Sequence, residues 1–174
     1  DRPCAADIYG GLLAVGELGG RLSLYNKDND LIQRIGDEPA DRAKGNGAPP
    51  EKWVKGALVA VHGCTFDSKG DLYAQEWNRF GRIVTYRISE LIQAHPKPKL
   101  IDVVSNWPTF PDGVSLGSLH GDMAADGQGN VYNATGATIQ VIGPDGVYRR
   151  DLGREWGGVH GMKVRTQGDE EFLF

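Results

Sequence analysis

The stretch HGCTFDSKGDLYA, residues 62–74, returns in altered form as HGDMAADGQGNVY, residues 120–132. Each copy joins a His-Gly pair to a short apolar run, a turn rich in Gly and Asp, and a second run that contains a tyrosine. A third pair, His160-Gly161, stands near the end of the chain, and residues 4–25 keep the pattern without a histidine. Self-similarity of this kind indicates a repeat protein.

Each unit predicts three or four short antiparallel strands. Gly70 suits a turn that needs positive φ before the run Leu72–Ala74. The run Arg82–Tyr86 alternates in the manner of a strand, and Gly143–Gly146 indicates a further hairpin. A unit of about 40 residues built this way has the size of a propeller blade. We therefore expect an all-β fold, a β-propeller, in which the one short helix candidate is residues 88–94.

The units divide the chain into a single partial propeller domain over residues 1–174. We expect blade units at about 4–36, 61–104, 119–153 and 159–174, with a polar, Gly- and Pro-rich loop insertion at 37–59. This amounts to about three and a half blades at about 40 residues each. Since an open ring exposes strand edges, we expect it to be completed by missing sequence or by other chains.

Charge and composition exclude some partners and leave the cysteines undecided. The formal net charge is −4, and Lys and Arg are dispersed, which argues against nucleic acid and anionic membranes as partners. No apolar run approaches the about 18 residues of a membrane span. A shift of 60 residues aligns Cys4 with Cys64, and either a disulfide between them or two buried free thiols agrees with the pattern.

The histidines of the three pairs are the candidate metal ligands. Equivalent residues on the innermost strands of a propeller form a ring, so His62, His120 and His160 would converge at the mouth of a channel. Imidazoles bind Zn²⁺, Cu²⁺, Ni²⁺ or Fe²⁺, and three of them with a water make an open catalytic site. The alternative is structural: such a histidine could donate to the backbone of the neighbouring blade. His95, in a Pro-rich segment, is expected to be a solvated connector.

Two irregular segments carry aromatic candidates for ligand binding, namely Trp53, Trp107 and Phe110. Long loops on rigid scaffolds often carry recognition. Equally, a tryptophan can anchor its loop by burial. Aspartates such as Asp67 and Asp126 flank turn glycines, and we expect them to cap their own backbone rather than bind Ca²⁺.

The repeat resembles a known family. The order His-Gly, two apolar positions, Asp, two positions, Gly, Asp or Asn, Leu or Val, Tyr, and then Glu-Trp and Gly-Arg-Ile is similar to the NHL-type repeat of six-bladed propellers, over residues 12–174. Within that group it resembles bacterial extracytoplasmic propellers, some of which are similar to the peptidyl-hydroxyglycine α-amidating lyase. The resemblance implies six blades, a secreted or periplasmic location, and zinc as the metal of the three histidines. This chain departs from the lyase because its candidate ligands lie on adjacent units.

Two functions from different classes follow. One is a binding or scaffold module for a peptide, glycan or protein partner, supported by the aromatic loops. The alternative is a divalent-metal-dependent lyase or hydrolase that uses the three histidines. The residues provide no Ser/His/Asp constellation and no phosphate-binding loop, so whether the protein is an enzyme stays open at this point.

Overall fold

A computed structural model describes residues 2–88, 102–104 and 107–174. They form three four-stranded antiparallel sheets, each with its strands in chain order, and one two-stranded hairpin. The first sheet contains β1 (Pro3–Tyr9), β2 (Leu12–Glu17), β3 (Arg21–Tyr25) and β4 (Leu31–Ile35). The second contains β5 (Val61–Phe66), β6 (Leu72–Glu76), β7 (Arg82–Arg87) and β8 (Asp102–Val104). The third contains β9 (Leu119–Ala125), β10 (Val131–Thr135), β11 (Ile139–Ile142) and β12 (Tyr148–Asp151), and the hairpin contains β13 (Val164–Gln167) and β14 (Glu170–Leu173).

The all-β prediction is confirmed, but the predicted β-propeller is wrong. The sheets are four separate antiparallel units of two to four strands, and none of them closes into a ring. The physical reason is that a repeat specifies the hairpins within one unit, whereas ring closure depends on packing between units, which the repeat does not encode. The helix expected at residues 88–94 and the connector expected at His95 lie, apart from Ile88, outside the described residues.

Aspartate side chains hold the turns between the first two strands of two sheets. The Asp67 carboxylate accepts hydrogen bonds from the amides of Lys69 and Asp71, each at 2.9 Å, and from the Tyr73 hydroxyl at 3.1 Å. Asp126 repeats the arrangement in the third sheet with two amides and the Tyr132 hydroxyl. The expected turn-capping role is confirmed, and it explains why a tyrosine follows each turn at a constant spacing.

The apolar core lies between successive sheets. Leu22, Leu24, Leu72 and Tyr86 belong to a cluster shared by the first two sheets. A second cluster joins the second and third sheets, and a smaller one joins the third sheet to the segment around Met162. The first strands of neighbouring sheets lie side by side, β1 against β5 and β5 against β9. Residues near the start of these strands are therefore brought together.

Arg42 organises the long connection between the first two sheets. It is 7% exposed, and its guanidinium donates to the carbonyls of Leu58 at 2.8 Å and Gly20 at 2.6 Å. It also donates to the carbonyls of Asp37 and Pro39. Within the described residues this buried cation has no carboxylate partner, and backbone oxygens surround it, satisfy its donors and hold the loop against the first sheet.

Among the described residues, no helix has the length and apolar character that crossing a membrane would require.

Candidate metal centre

The three histidines of the His-Gly pairs meet at one place. His62 is the second residue of β5 and His120 the second residue of β9, while His160 lies in the segment before β13. One ligand nitrogen from each can be chosen so that all three lie within 4.8 Å of one another. The ring centroids are 4.8 Å apart for His62 and His120, 4.6 Å for His120 and His160, and 5.4 Å for His62 and His160. Three imidazoles at this spacing can bind one ion.

The glycines after His62 and His120 allow close packing of the backbone around the site. A Cβ atom at Gly63 would lie 3.1 Å from the Cα of Asp122 on β9. A Cβ at Gly121 would lie 2.6 Å from the Cβ of Ala134 and 2.7 Å from the carbonyl oxygen of Val159. Gly161 differs, because it has open space around it and a φ of +83°. Two glycines of the motif therefore permit close packing, and the third permits a backbone conformation that favours glycine.

A hydrogen bond orients the His62 ring. Its Nδ1 lies 2.7 Å from the carbonyl oxygen of Gly121. Since a carbonyl can only accept, Nδ1 carries the proton, and in the neutral ring the lone pair is on Nε2. Metal-binding histidines characteristically donate their other ring N–H in this way. This bond also links the second and third sheets, so His62 has the structural role of a hydrogen bond between units. Its Nε2 remains free to bind a ligand.

His120 and His160 are solvent-exposed, while His62 is half-buried. Within the described part of the chain, neither the His120 nor the His160 ring makes a hydrogen bond. Partial desolvation of the ring, together with the neighbouring His62 and His160, lowers the pKa of His120. A lowered pKa favours the neutral imidazole, which is the form that binds a metal.

Trp77 is the site residue that the sequence analysis missed. Its ring stacks on His120 with a centroid distance of 4.9 Å and an interplanar angle of 26°, and its centroid is 6.4 Å from that of His62. Its amide donates to Ala60 at 2.7 Å, beside the start of β5. Trp77 directly follows β6, whose last residue, Glu76, pairs with Val61 beside His62. The signal available in the sequence was the Glu-Trp pair that follows the repeat.

The alignment of Cys4 with Cys64 does not hold in three dimensions. Cys4 is the second residue of β1, beside a register irregularity, as His62 is in β5. Its sulfur donates to the carbonyl of Val61 at 3.0 Å. Both cysteines are free thiols, Cys4 exposed and Cys64 buried. Cys4 therefore occupies the strand position of the histidines, but it is not one of the three clustered residues.

The three aromatic candidates line one open groove of about 510 Å³, away from the histidines. Trp53 also donates from Nε1 to the carbonyl of Ala48 at 2.9 Å. The Trp107 ring packs on Tyr73 at 4.7 Å between centroids, and Phe110 packs near Tyr148 at 5.6 Å. Each aromatic residue is half-buried, so each both anchors its segment and lines the groove.

Comparison with known proteins gives a likeness in fold alone. No family model matches the chain, and no curated protein matches it, so the resemblance to NHL-type repeats gains no support. One similar solved structure is that of a protein of unknown function from Bacteroides caccae, with 9% sequence identity and a TM-score of 0.51. The match covers 96% of this chain and 50% of that protein, so the chain spans about half of its length.

Proposed function

We propose that this protein binds a divalent metal ion through His62, His120 and His160 and uses it as an open, lyase- or hydrolase-type catalytic centre. The observation that carries the proposal is the convergence of three ligand nitrogens within 4.8 Å. The Nδ1 hydrogen bond of His62 adds support, because it directs Nε2 to the ligand role.

A metal held by three imidazoles would keep a coordination position for water or substrate. Bound there, the ion would polarise a carbonyl or lower the pKa of its water to near neutrality. The chain's own contribution would be to orient the ligands. Gly121 supplies the carbonyl that fixes the His62 ring, and Trp77 covers one face of the His120 ring. Zinc is the first metal to test, and copper or nickel would fit the same donors.

Metal stoichiometry tests the proposal. Natively purified protein is dialysed against zinc at neutral pH, and bound metal is measured by elemental analysis. We expect about one ion per chain in the parent protein and none in His120→Ala. The matched control is Cys4→Ala, which removes a potential ligand at the equivalent strand position of β1 but outside the cluster. It should bind as much zinc as the parent.

Absence of metal binding would contradict the proposal. If the folded parent protein binds no zinc, copper or nickel, the histidines contribute only to packing between sheets and the proposal is wrong. In that case His62→Ala should lower the melting temperature through the lost bond to Gly121, while the exposed His160→Ala should not.

A second candidate function is a binding module for a peptide, glycan or protein partner. The observation that favours it is that Trp53, Trp107 and Phe110 line the same groove. Titration with soluble glycans and peptides, followed by tryptophan fluorescence, tests this candidate. Binding should be lost in Phe110→Ala and kept in Trp156→Phe, since Trp156 lines a different cavity. Equal binding by both variants would exclude the groove as the binding site.

A further inference from the structure

We infer that the open position of the histidine site takes an oxyanion, a carboxylate or a phosphate, as its ligand. This inference rests on the proposed function and specifies its substrate class.

The charge of the ligand set is the first argument. Three histidines bind a metal as neutral imidazoles, so a divalent ion among them keeps both positive charges. The cluster contains no carboxylate or thiol. Asp122 is the acid nearest to His120 in sequence, yet its oxygens accept from the amides of Met123 at 2.8 Å and Met162 at 3.3 Å. The carboxylate is thus engaged by the backbone and is not part of the ligand set.

The surroundings supply the second argument. His120 and His160 are exposed, so an anion can reach the site from solvent. Lys163, three residues after His160 in sequence, donates to Asp7 and to the carbonyl of Ala6, each at 3.2 Å. Its charge is paired with that of Asp7, so the attraction for an anion would come from a bound metal. An anion in the open coordination position would offset the positive charge directly.

The test uses cobalt-loaded protein, because the visible spectrum of Co²⁺ reports changes in its ligands. Acetate and inorganic phosphate are titrated separately into the loaded protein. We expect a saturable spectral change with at least one of them. His160→Asp adds one negative charge to the ligand set and should weaken anion binding at least about tenfold. His160→Gln is the neutral control and should weaken it far less.

The outcomes separate the two proposals. Cobalt uptake with a spectrum that neither anion changes would overturn this inference and leave the proposed function intact. If His160→Asp and His160→Gln weaken anion binding equally, the charge of the ligand set does not govern it and the inference is overturned. A folded parent protein that takes up no cobalt or zinc would overturn the proposed function as well. Cobalt content is measured in every variant, so that loss of metal is not mistaken for loss of anion binding.

Discussion

His120 packs against the imidazoles of His62 and His160 and against the ring of Trp77. This position lowers the pKa of His120, because partial desolvation and neighbouring like charges both disfavour the imidazolium. The same surroundings serve metal binding, since a neutral ring is needed as a ligand. At the scale of single residues, then, the chemistry of the site depends on neighbours that come from different sheets.

The first prediction concerns this pKa. Partial desolvation and the neighbouring His62 and His160 hold the pKa of His120 below 6.5. The unfolded chain then binds more protons than the folded protein as the pH falls below that value, so the metal-free protein should lose stability as the pH falls through the pKa of folded His120. Above pH 6.5 the contribution of neutral His120 to stability is fully present. NMR titration of the histidine ring protons measures the pKa of His120.

The control for that titration is His160→Gln, which removes one of the charges that disfavour protonation. The pKa of His120 should rise in this variant. An unchanged pKa in the variant, or a parent value at or above that of a free histidine, would contradict the prediction.

The second prediction concerns Cys64. Burial, followed by the nearby carboxylates of Asp7 and Asp122, raises the pKa of its thiol to about 12. The thiolate is the reactive form, so at pH 8 iodoacetamide should not label Cys64 in the folded protein. Mass spectrometry of the Cys4→Ser variant, in which Cys64 is the single cysteine, measures the labelling. Denaturant should make it complete, and rapid labelling without denaturant would be the contrary result.

At the scale of elements, two devices join the sheets. Gly63 allows β5 to approach β9, and polar side chains cross between segments that are distant in sequence. Arg42 binds four backbone carbonyls, and Glu76 accepts from the amides of Val59 and Ala60 while pairing with Arg82 at 3.1 Å. Burial raises the pKa of Glu76. The long connection is therefore held by the charged ends of side chains rather than by strands.

The third prediction tests Arg42. Lysine keeps the charge but cannot reach several carbonyls with a planar fork. Arg42→Lys should destabilise the protein by about 1.5–3 kcal/mol for each charged hydrogen bond left unreplaced. One kcal/mol corresponds to roughly 2–4 °C in melting temperature for a domain of this size. Calorimetry measures the shift. The exposed Arg150→Lys on β12 should leave the melting temperature nearly unchanged, and an equal shift in both variants would contradict the prediction.

The fourth prediction tests close approach at Gly121. An added methyl group would meet Ala134 and the carbonyl of Val159, and overpacking typically costs about 1–3 kcal/mol. Because Gly121 also accepts the His62 hydrogen bond, Gly121→Ala should lower both the melting temperature and the affinity for zinc. Gly47, which has open space around it, provides the control: Gly47→Ala should change neither. Normal zinc affinity in Gly121→Ala would show that the close packing around Gly121 does not govern zinc binding.

At the scale of the whole molecule, the three ligands belong to three consecutive units. His62 comes from the second sheet, His120 from the third, and His160 from the segment before the hairpin. That last segment also reaches back to β1, where Lys163 pairs with Asp7 at 3.2 Å. A bound ion would therefore connect three consecutive units of the fold through one site.

The fifth prediction is a thermal shift. Metal that binds only the folded state stabilises it by about 2.7 kcal/mol at a free concentration 100 times Kd. This should raise the melting temperature by roughly 5–10 °C for a domain of this size. Differential scanning fluorimetry with and without zinc measures the shift, and His160→Ala should abolish it. An equal shift in this variant would place the zinc elsewhere.

Local residue patterns predicted part of this structure. The turns at Asp67 and Asp126 follow from an aspartate before a glycine, and the strands follow from short alternating runs. The convergence of His62, His120 and His160 was predicted from their repeat positions. The sequence does not reveal Trp77 as a site residue, because its contact with His120 joins two sheets. The 60-residue shift does not place Cys4 correctly, because two residues join β1 to β2 whereas five join β5 to β6.

The sequence by itself determined the all-β character, the antiparallel units and the choice of residue types at the site. These features depend on interactions within about 40 residues, where turn-forming residues and the alternation of apolar and polar side chains determine the strands. Only the tertiary structure decided how many strands each unit has, whether the sheets form a ring, and which ring nitrogen of His62 is free. Those outcomes depend on packing between distant segments, such as β5 against β9 at Gly63, and no local pattern specifies the distance between two such backbones.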